Sequence, residues 1–575
     1  MARADSVPPI AVSAAEVIAE AFLGYRNRFR TLSRLARRHF QYRDWHAVQR
    51  DSSRRLDLYN DSVGDSLHGL RDVLGEKFDD RPTWSAVRAA YESLVQARPD
   101  EELAETFFNS AVRRVFHTVG VAPDVEFVSS SVAPVEHTAP WSHTRTYGPA
   151  GVLTDAFREV LLGAGFETAW DDLDGDVERL AAAARPHLGQ ARALAIEVVR
   201  APFFRGKAAY IAGQVHFEGG SIPLVIALLN PDGRLVVDAA LFTENDVSVV
   251  FSFARSYFFV DVDDPREMVD WLHMLMPRKP ASDLWNSIGF HRHGKTELFR
   301  SLLQHLGGTD EQFVVAPGKR GMVMAVFVLP GFDVVFKVIR DRFEFPKTVT
   351  HAQVREKYDI VYRHDRAGRM VDAQRFEHLD FPASRFEPAL LEELLTSTSE
   401  TVKLRGDRVV IAHLYTERRL NPLDVFLETA TPEAAREAVV DYGQSLKDLA
   451  ATNIFPGDML LKNFGVTRHG RLVFYDYDEL CLLTECRFRE LPAASEGDEE
   501  VAAEPWYFVD ERDVFPEEFR AFLGLRGELL AAFLAAHGDL LTAGFWRRMQ
   551  ERVLNGEVIE VFPYRRSSRL RPDAA

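Results

Sequence analysis

Residues 457–480 read GDMLLKNFGVTRHGRLVFYDYDEL. The acids Asp458, Asp476 and Asp478 and the amide Asn463 bracket a short apolar run. Asp458 precedes Asn463 by five positions, and Asn463 precedes Asp476 by thirteen. RLVFYD has the apolar character of a short strand, and Asp476 ends it. Carboxylate and amide oxygens at strand and loop ends suit a hard cation such as Mg2+, with Mn2+ the alternative. The stretch therefore reads as a metal–phosphate site.

Phosphoryl transfer asks little covalent work of a protein. It needs a phosphate cradle, a cation on the phosphates, metal ligands and a base aimed at the acceptor. The spacing Asp458-x-x-x-x-Asn463 is that of the kinase loop H-R-D-x-x-x-x-N. In that reading Asp458 accepts the hydroxyl proton, Lys462 touches the γ-phosphate, and Asn463 and Asp476 ligate metal. Upstream, VVAPGKRGMVMAV (314–326) is a strand–turn–strand with Gly318 and Gly321 in the turn. Glycines there let backbone approach a triphosphate. Lys337 follows in VVFKVI (334–339), among apolar neighbours on its own face, Val335 and Ile339. A lysine so placed needs a counter-charge, and Glu356 on the next helix is the expected partner. Three departures stand out. Pro456-Gly457 replaces His-Arg, Asp478 stands where D-F-G has its glycine, and no A-P-E follows.

Outward from this core, 575 residues exceed one compact domain. The expected fold class is α+β: a bilobal protein-kinase-like domain over 306–575, preceded over 1–305 by a largely helical domain with a small antiparallel sheet. The N-lobe is placed at about 306–415 and the C-lobe at 416–575. Residues 13–118 carry helical periodicity, with Ser13 and Glu16 as a capping box. The ten arginines of 26–55 read as a solvated helix face. Strands are expected within 120–262, including DVEFVSSSV (124–132) and VSVVFSFARSYFFV (247–260), with Asn230-Pro-Asp-Gly233 as a hairpin turn. Residues 493–518 hold ten acids and only Arg512, which predicts an exposed loop. The tail RRSSRLRPDAA reads as disordered.

Net charge −17 argues against a nucleic-acid partner. Two cysteines, no signal-peptide pattern and no long apolar run predict a cytoplasmic chain that does not enter a membrane. GFHRHGKT (289–296) satisfies the P-loop pattern G-x-x-x-x-G-K-[ST] but lacks the preceding strand, so a polar helix entry is expected instead. Cys481 and Cys486 have no second ligand pair, which predicts burial rather than zinc binding.

FKVIRDRFEFPKTVT (336–350), GRMVDAQRFEHLDFP (368–382), PGDMLLKNFGV (456–466), YDYDELCLLTEC (475–486) and EPWYFVDERDVFPEEF (504–519) together resemble the isocitrate dehydrogenase kinase/phosphatase family. The segment GFHRHGKTE and the total length fit it too. The resemblance implies a bifunctional enzyme using ATP or ADP and Mg2+. It would phosphorylate a serine of NADP-dependent isocitrate dehydrogenase and remove that phosphate, setting flux between the tricarboxylic acid cycle and the glyoxylate bypass. It also implies an N-terminal regulatory domain and an adenine nucleotide effector such as AMP, and it leaves a homodimer open. The implied nucleotide loop is Ala316, Pro317, Gly318, Lys319, Arg320, Gly321 and Met322, with Lys337. The implied active-site acid is Asp372, whereas spacing favours Asp458 as the base. Asp478 is the expected phosphatase acid. The competing readings are a small-molecule phosphotransferase of aminoglycoside-kinase type, from GD-x4-N and D-x-D, and a nucleotide-gated pseudokinase.

Overall fold

The structure is a computed structural model that describes residues 7–128, 140–148, 152–252, 257–318, 320–343, 349–491 and 508–571. It begins with two long helices, Pro9–Tyr42 and Trp45–Leu74, that pack on each other. Ile18, Phe22, Tyr25 and Phe29 recur at helical spacing and are buried. The first helix starts at Pro9, whose fixed φ suits the first helical position. Ser13 and Glu16 therefore lie inside the helix and do not cap it. The arginines of 26–55 are not simply a solvated face. Arg26 meets Asp100 at 3.0 Å in the interior, Arg30 meets Asp261 at 3.1 Å, and Arg55 donates to the Phe258 carbonyl at 3.0 Å. They tie the helices to the rest of the first domain.

Behind the helices stands an antiparallel six-stranded sheet. Its strands run 144–147, 193–199, 208–217, 220–229 and 236–241 in spatial order, with 203–205 alongside 208–217. The expected hairpin is present, with Gly233 at φ +80°. Two expected strands are not. Residues 124–128 make a turn and bend running into irregular chain, and 129–132 lie outside the described residues. The start of the expected strand 247–260 is instead the helix Glu244–Val250, because Thr243 accepts the Asp246 N–H and caps it, and 253–256 lie outside the described residues. GFHRHGKT is no P-loop. A helix, Ala281–Ser287, precedes it, and Gly294 and Lys295 already belong to the helix His291–Gly308. A Cβ on Gly294 would stand 2.2 Å from the Asn286 Oδ1, so glycine here lets two helices close up.

The second domain has two lobes. Its antiparallel sheet runs 373–382, 408–418, 334–339, 324–328 and 314–315, with 402–405 added to 408–418. The helix His351–His364, capped by Thr350 and Gln353, lies between the third and fourth strands in sequence and buries Val354, Tyr358 and Val361. The helices Pro432–Ala451, Gly527–His537 and Ala543–Leu554 build the other lobe around Tyr442, Leu446, Phe533 and Trp546. No single helix among the described residues is long and apolar enough to cross a membrane.

The tail is ordered through Arg571. Arg569 pairs with Asp238 at 2.7 Å, their side chains 8% and 1% exposed, and Arg571 reaches Asp176 at 2.8 Å. Arg569 also bridges Ala239 as an added edge residue on the first domain's sheet. An arginine-rich end without apolar periodicity looks free until its buried aspartates are seen.

Candidate active site

The helix Pro432–Ala451 delivers the chain to Ile454–Phe455, which pairs with Cys481–Leu482. Between these short strands lies the loop opened by Gly457. Gly457 has φ +75°, and a Cβ there would stand 2.3 Å from the Glu479 carbonyl oxygen. Glycine is thus required, both for the left-handed backbone and for the close approach. The departure from His-Arg-Asp has a steric cause: the 457 turn is packed against the segment that carries Asp476 and Asp478.

Asp458 is half-buried, and its Oδ1 accepts the Leu460 N–H at 3.0 Å. Asn463 is 2% exposed, and its Nδ2 donates to the Asp458 carbonyl at 3.5 Å. That leaves Oδ1 as the atom the amide offers a cation. Lys462 is exposed, and its carbonyl accepts from the Tyr475 hydroxyl. The Tyr475 N–H in turn bonds the Asn463 carbonyl at 3.1 Å, joining the loop to the Asp476 strand end. Asp476 and Asp478 are half-buried on either side of Tyr477. Tyr477 is buried and donates to the Val371 carbonyl at 2.7 Å, which anchors the segment.

Lys337 lies on the strand Val334–Ile339 and donates to the Tyr475 carbonyl at 3.0 Å. Its ion-pair partner is Glu417, at 2.7 Å, not Glu356, which is exposed. The cause is register. Lys337 stands opposite Tyr415 and Glu417 opposite Val335, so the two charges are diagonal neighbours on one sheet face. Glu356 falls two positions from Val354 and from Tyr358, on the outer side of its helix. Burial raises the Glu417 carboxyl above the usual range, while Lys337 and the Tyr358 hydroxyl, 3.2 Å away, pull it back. The negative charge of Asp476 also raises the Glu417 carboxyl.

In the candidate nucleotide loop, the Ala316 N–H bonds the Val326 carbonyl at 3.0 Å. Pro317 and Gly318 are exposed on the cavity rim, and Gly318 has φ +111°. A Cβ on Gly321 would meet the Met324 carbonyl at 2.9 Å. Met322 is half-buried, and Arg320 lies 3.5 Å from Glu393. Lys319 lies outside the described residues.

A cavity of about 1110 Å3 opens below this loop. Gly318, Val334, Glu417, Asp372 and Arg468 of the second domain line it together with Ser282 and Asn286 of the first. Asp372 accepts from Gln374 and from Asn286, the latter at 3.3 Å across the domain boundary. It lines this inner cavity, whereas Asp458, Lys462, Asn463, Asp476 and Asp478 do not. Among the described residues no cluster of three His, Cys, Asp or Glu side chains could hold a metal by itself. Asn463 and Asp476 instead fit a cation that takes its remaining oxygens from phosphates and water.

Glu417 and the packing role of Gly457 escape sequence reasoning. The only signal for Glu417 was an acid ending the long apolar run RVVIAHLYTE.

Comparison with known families bears on both domains. Residues 311–566 match the model of the isocitrate dehydrogenase kinase/phosphatase (AceK) kinase domain, and residues 15–310 match its regulatory domain. The chain belongs to the isocitrate dehydrogenase kinase/phosphatase family. A family member from Anaeromyxobacter sp. (strain Fw109-5), named isocitrate dehydrogenase kinase/phosphatase, is 47% identical over 566 residues, covering 98% of each chain. One from Anaeromyxobacter dehalogenans (strain 2CP-C), of the same name, is 46% identical over 585 residues, covering 99% of each. Similarity to the isocitrate dehydrogenase kinase/phosphatase family thus spans the helical regulatory domain as well as the two lobes.

Proposed function

We propose that this cleft phosphorylates a serine of isocitrate dehydrogenase and removes the phosphate again. The whole-length similarity to proteins named for both activities supports this reading over a small-molecule phosphotransferase or a pseudokinase. The observation that carries it is the convergence of Lys337, the Asp458–Asn463 loop and the Asp476–Asp478 segment through Tyr475. Lys337 neutralises phosphate charge. Asp458 orients the serine hydroxyl and takes its proton, a role worth about 10²–10⁴-fold. Asn463 and Asp476 hold the divalent cation, Mg2+ in our reading, which screens the triphosphate. Asp478, where a protein kinase has glycine, positions the water that attacks phosphoserine. Asp372 lies on the inner cavity, which supports a supporting or effector-linked role for it rather than that of the base.

The cavity exceeds the roughly 300–1,000 Å3 of an ordinary ligand site. Its inner part, between the domains, is where we place an adenine nucleotide effector such as AMP. A cytoplasmic setting and a homodimer complete the proposal. Labelled ATP, Mg2+ and purified isocitrate dehydrogenase test it, followed by a chase with ADP. Label should enter the dehydrogenase and leave it during the chase. Label on small alcohols but not on the dehydrogenase, or on nothing, would overturn the reading.

A further inference from the structure

Protein kinases hold the strand lysine with a glutamate from the helix that follows it, so movement of that helix makes or breaks the pair. Here the arrangement differs. The inward positions of His351–His364 are Val354, Tyr358 and Val361, and Glu356 points outward. Glu417 comes from a strand hydrogen-bonded to the lysine's own strand, in a register that fixes both ends of the pair. Side chains of Lys337 and Glu417 are 11% and 3% exposed, and Tyr358 reaches the pair only through its hydroxyl.

We propose that Glu417 is the positioning residue for Lys337, and that the lysine is held within the sheet rather than by a helix acid. This rests on the reading of the cleft as the nucleotide site. Two consequences separate it from a structural role. Glu417 acts on nucleotide binding only through Lys337, and Glu356 does not act on it at all. A charged pair buried together is costly to break by halves, since the remaining charge is left without its partner. Removing both charges avoids that cost.

The test is a double-mutant cycle on the full-length chain. Mg·ATP binding is measured by calorimetry and KM for ATP by phosphate transfer to isocitrate dehydrogenase, for Glu417→Gln, Lys337→Met, the double variant and Glu356→Gln. The expected result is about a tenfold weakening for Glu417→Gln, the scale of one charge-assisted hydrogen bond. In the Lys337→Met background the same change should alter binding less than twofold. Glu356→Gln should stay within twofold of the parent. Equal effects of Glu417→Gln in both backgrounds would overturn the proposal, as would a Glu417→Gln variant that binds like the parent. So would a Glu356→Gln variant weakened as much as Glu417→Gln. If Glu417→Gln fails to fold, Tyr358→Phe replaces it. Its smaller loss should likewise vanish in the Lys337→Met background, and persistence there refutes the proposal. A Lys337→Met enzyme with unchanged binding and turnover would instead refute the nucleotide-site reading itself.

Discussion

Gly457→Ala puts the packing of the proposed catalytic loop to a direct test. The residue sits at φ +75°. An alanine in the left-handed region costs about 1–2 kcal/mol. The added Cβ would also lie 2.3 Å from the Glu479 carbonyl oxygen and 2.7 Å from its Cβ. Overpacking of that kind adds about 1–3 kcal/mol. Restoring ordinary contact moves the 457 turn and the 476–480 segment apart by roughly 1 Å, a displacement that near catalytic groups costs on the order of 100-fold in rate. Phosphate transfer to isocitrate dehydrogenase and its release should therefore fall together, each by about two orders of magnitude. Gly406→Ala is the control: φ is +62°, but nothing lies within 4 Å of its Cβ. It should lose the strain energy by thermal melt and keep both activities. A Gly457→Ala enzyme that stays within threefold of the parent, while melting like Gly406→Ala, would refute the argument. The two segments would then not be sterically coupled.

Asp458→Ala should abolish transfer to the dehydrogenase, while Asp478→Ala should lose phosphate release and retain transfer; parallel loss of both in the Asp478 variant sinks its assignment to the phosphatase step. Arg569→Ala leaves Asp238 buried without its cation, a cost of about 3–5 kcal/mol, and the first domain should become protease-sensitive before the second; unchanged cleavage would show that the tail is not a tie. Lys279 is 2% exposed, and burial lowers its amine to about 7. The unfolded chain keeps that proton to higher pH, so the fold gains stability as pH rises from about 7 toward 10. Melts at pH 7 and pH 9 should show the gain in the parent and a smaller one in Lys279→Met; identical shifts would contradict it.

What the sequence made legible was order along the chain. The glycine turn, the strand lysine, Asp458, Asn463 and Asp476 come in a sequence whose spacing is set by short loops and strands, and local chemistry is enough to read it. The two-lobed architecture follows from the same order of motifs, and the helical start of the first domain from periodicity. What stayed hidden was set by pairings across distance. Glu417 lies eighty positions from Lys337 in the chain, and only strand register makes them neighbours. Arg569 lies beyond the last helix and finds Asp238 in the other domain. The helix at Glu244–Val250 shows the same limit from the other side: its three valines read as strand, yet one threonine cap decided the conformation.

The departures from the kinase pattern belong together once the contacts are seen. Glycine at 457 allows the Asp458–Asn463 loop to rest on the Glu479 backbone. Tyr477, buried, is tied to the Val371 carbonyl by its hydroxyl. Glu417 holds the lysine from within the sheet. Polar contacts also join the two domains at their boundary. There Asn286 meets Asp372, Asp283 meets Arg418, and the Arg278 carbonyl accepts from Arg468. These are polar contacts on the wall of the shared cavity, so a ligand there competes for the same side chains that join the domains.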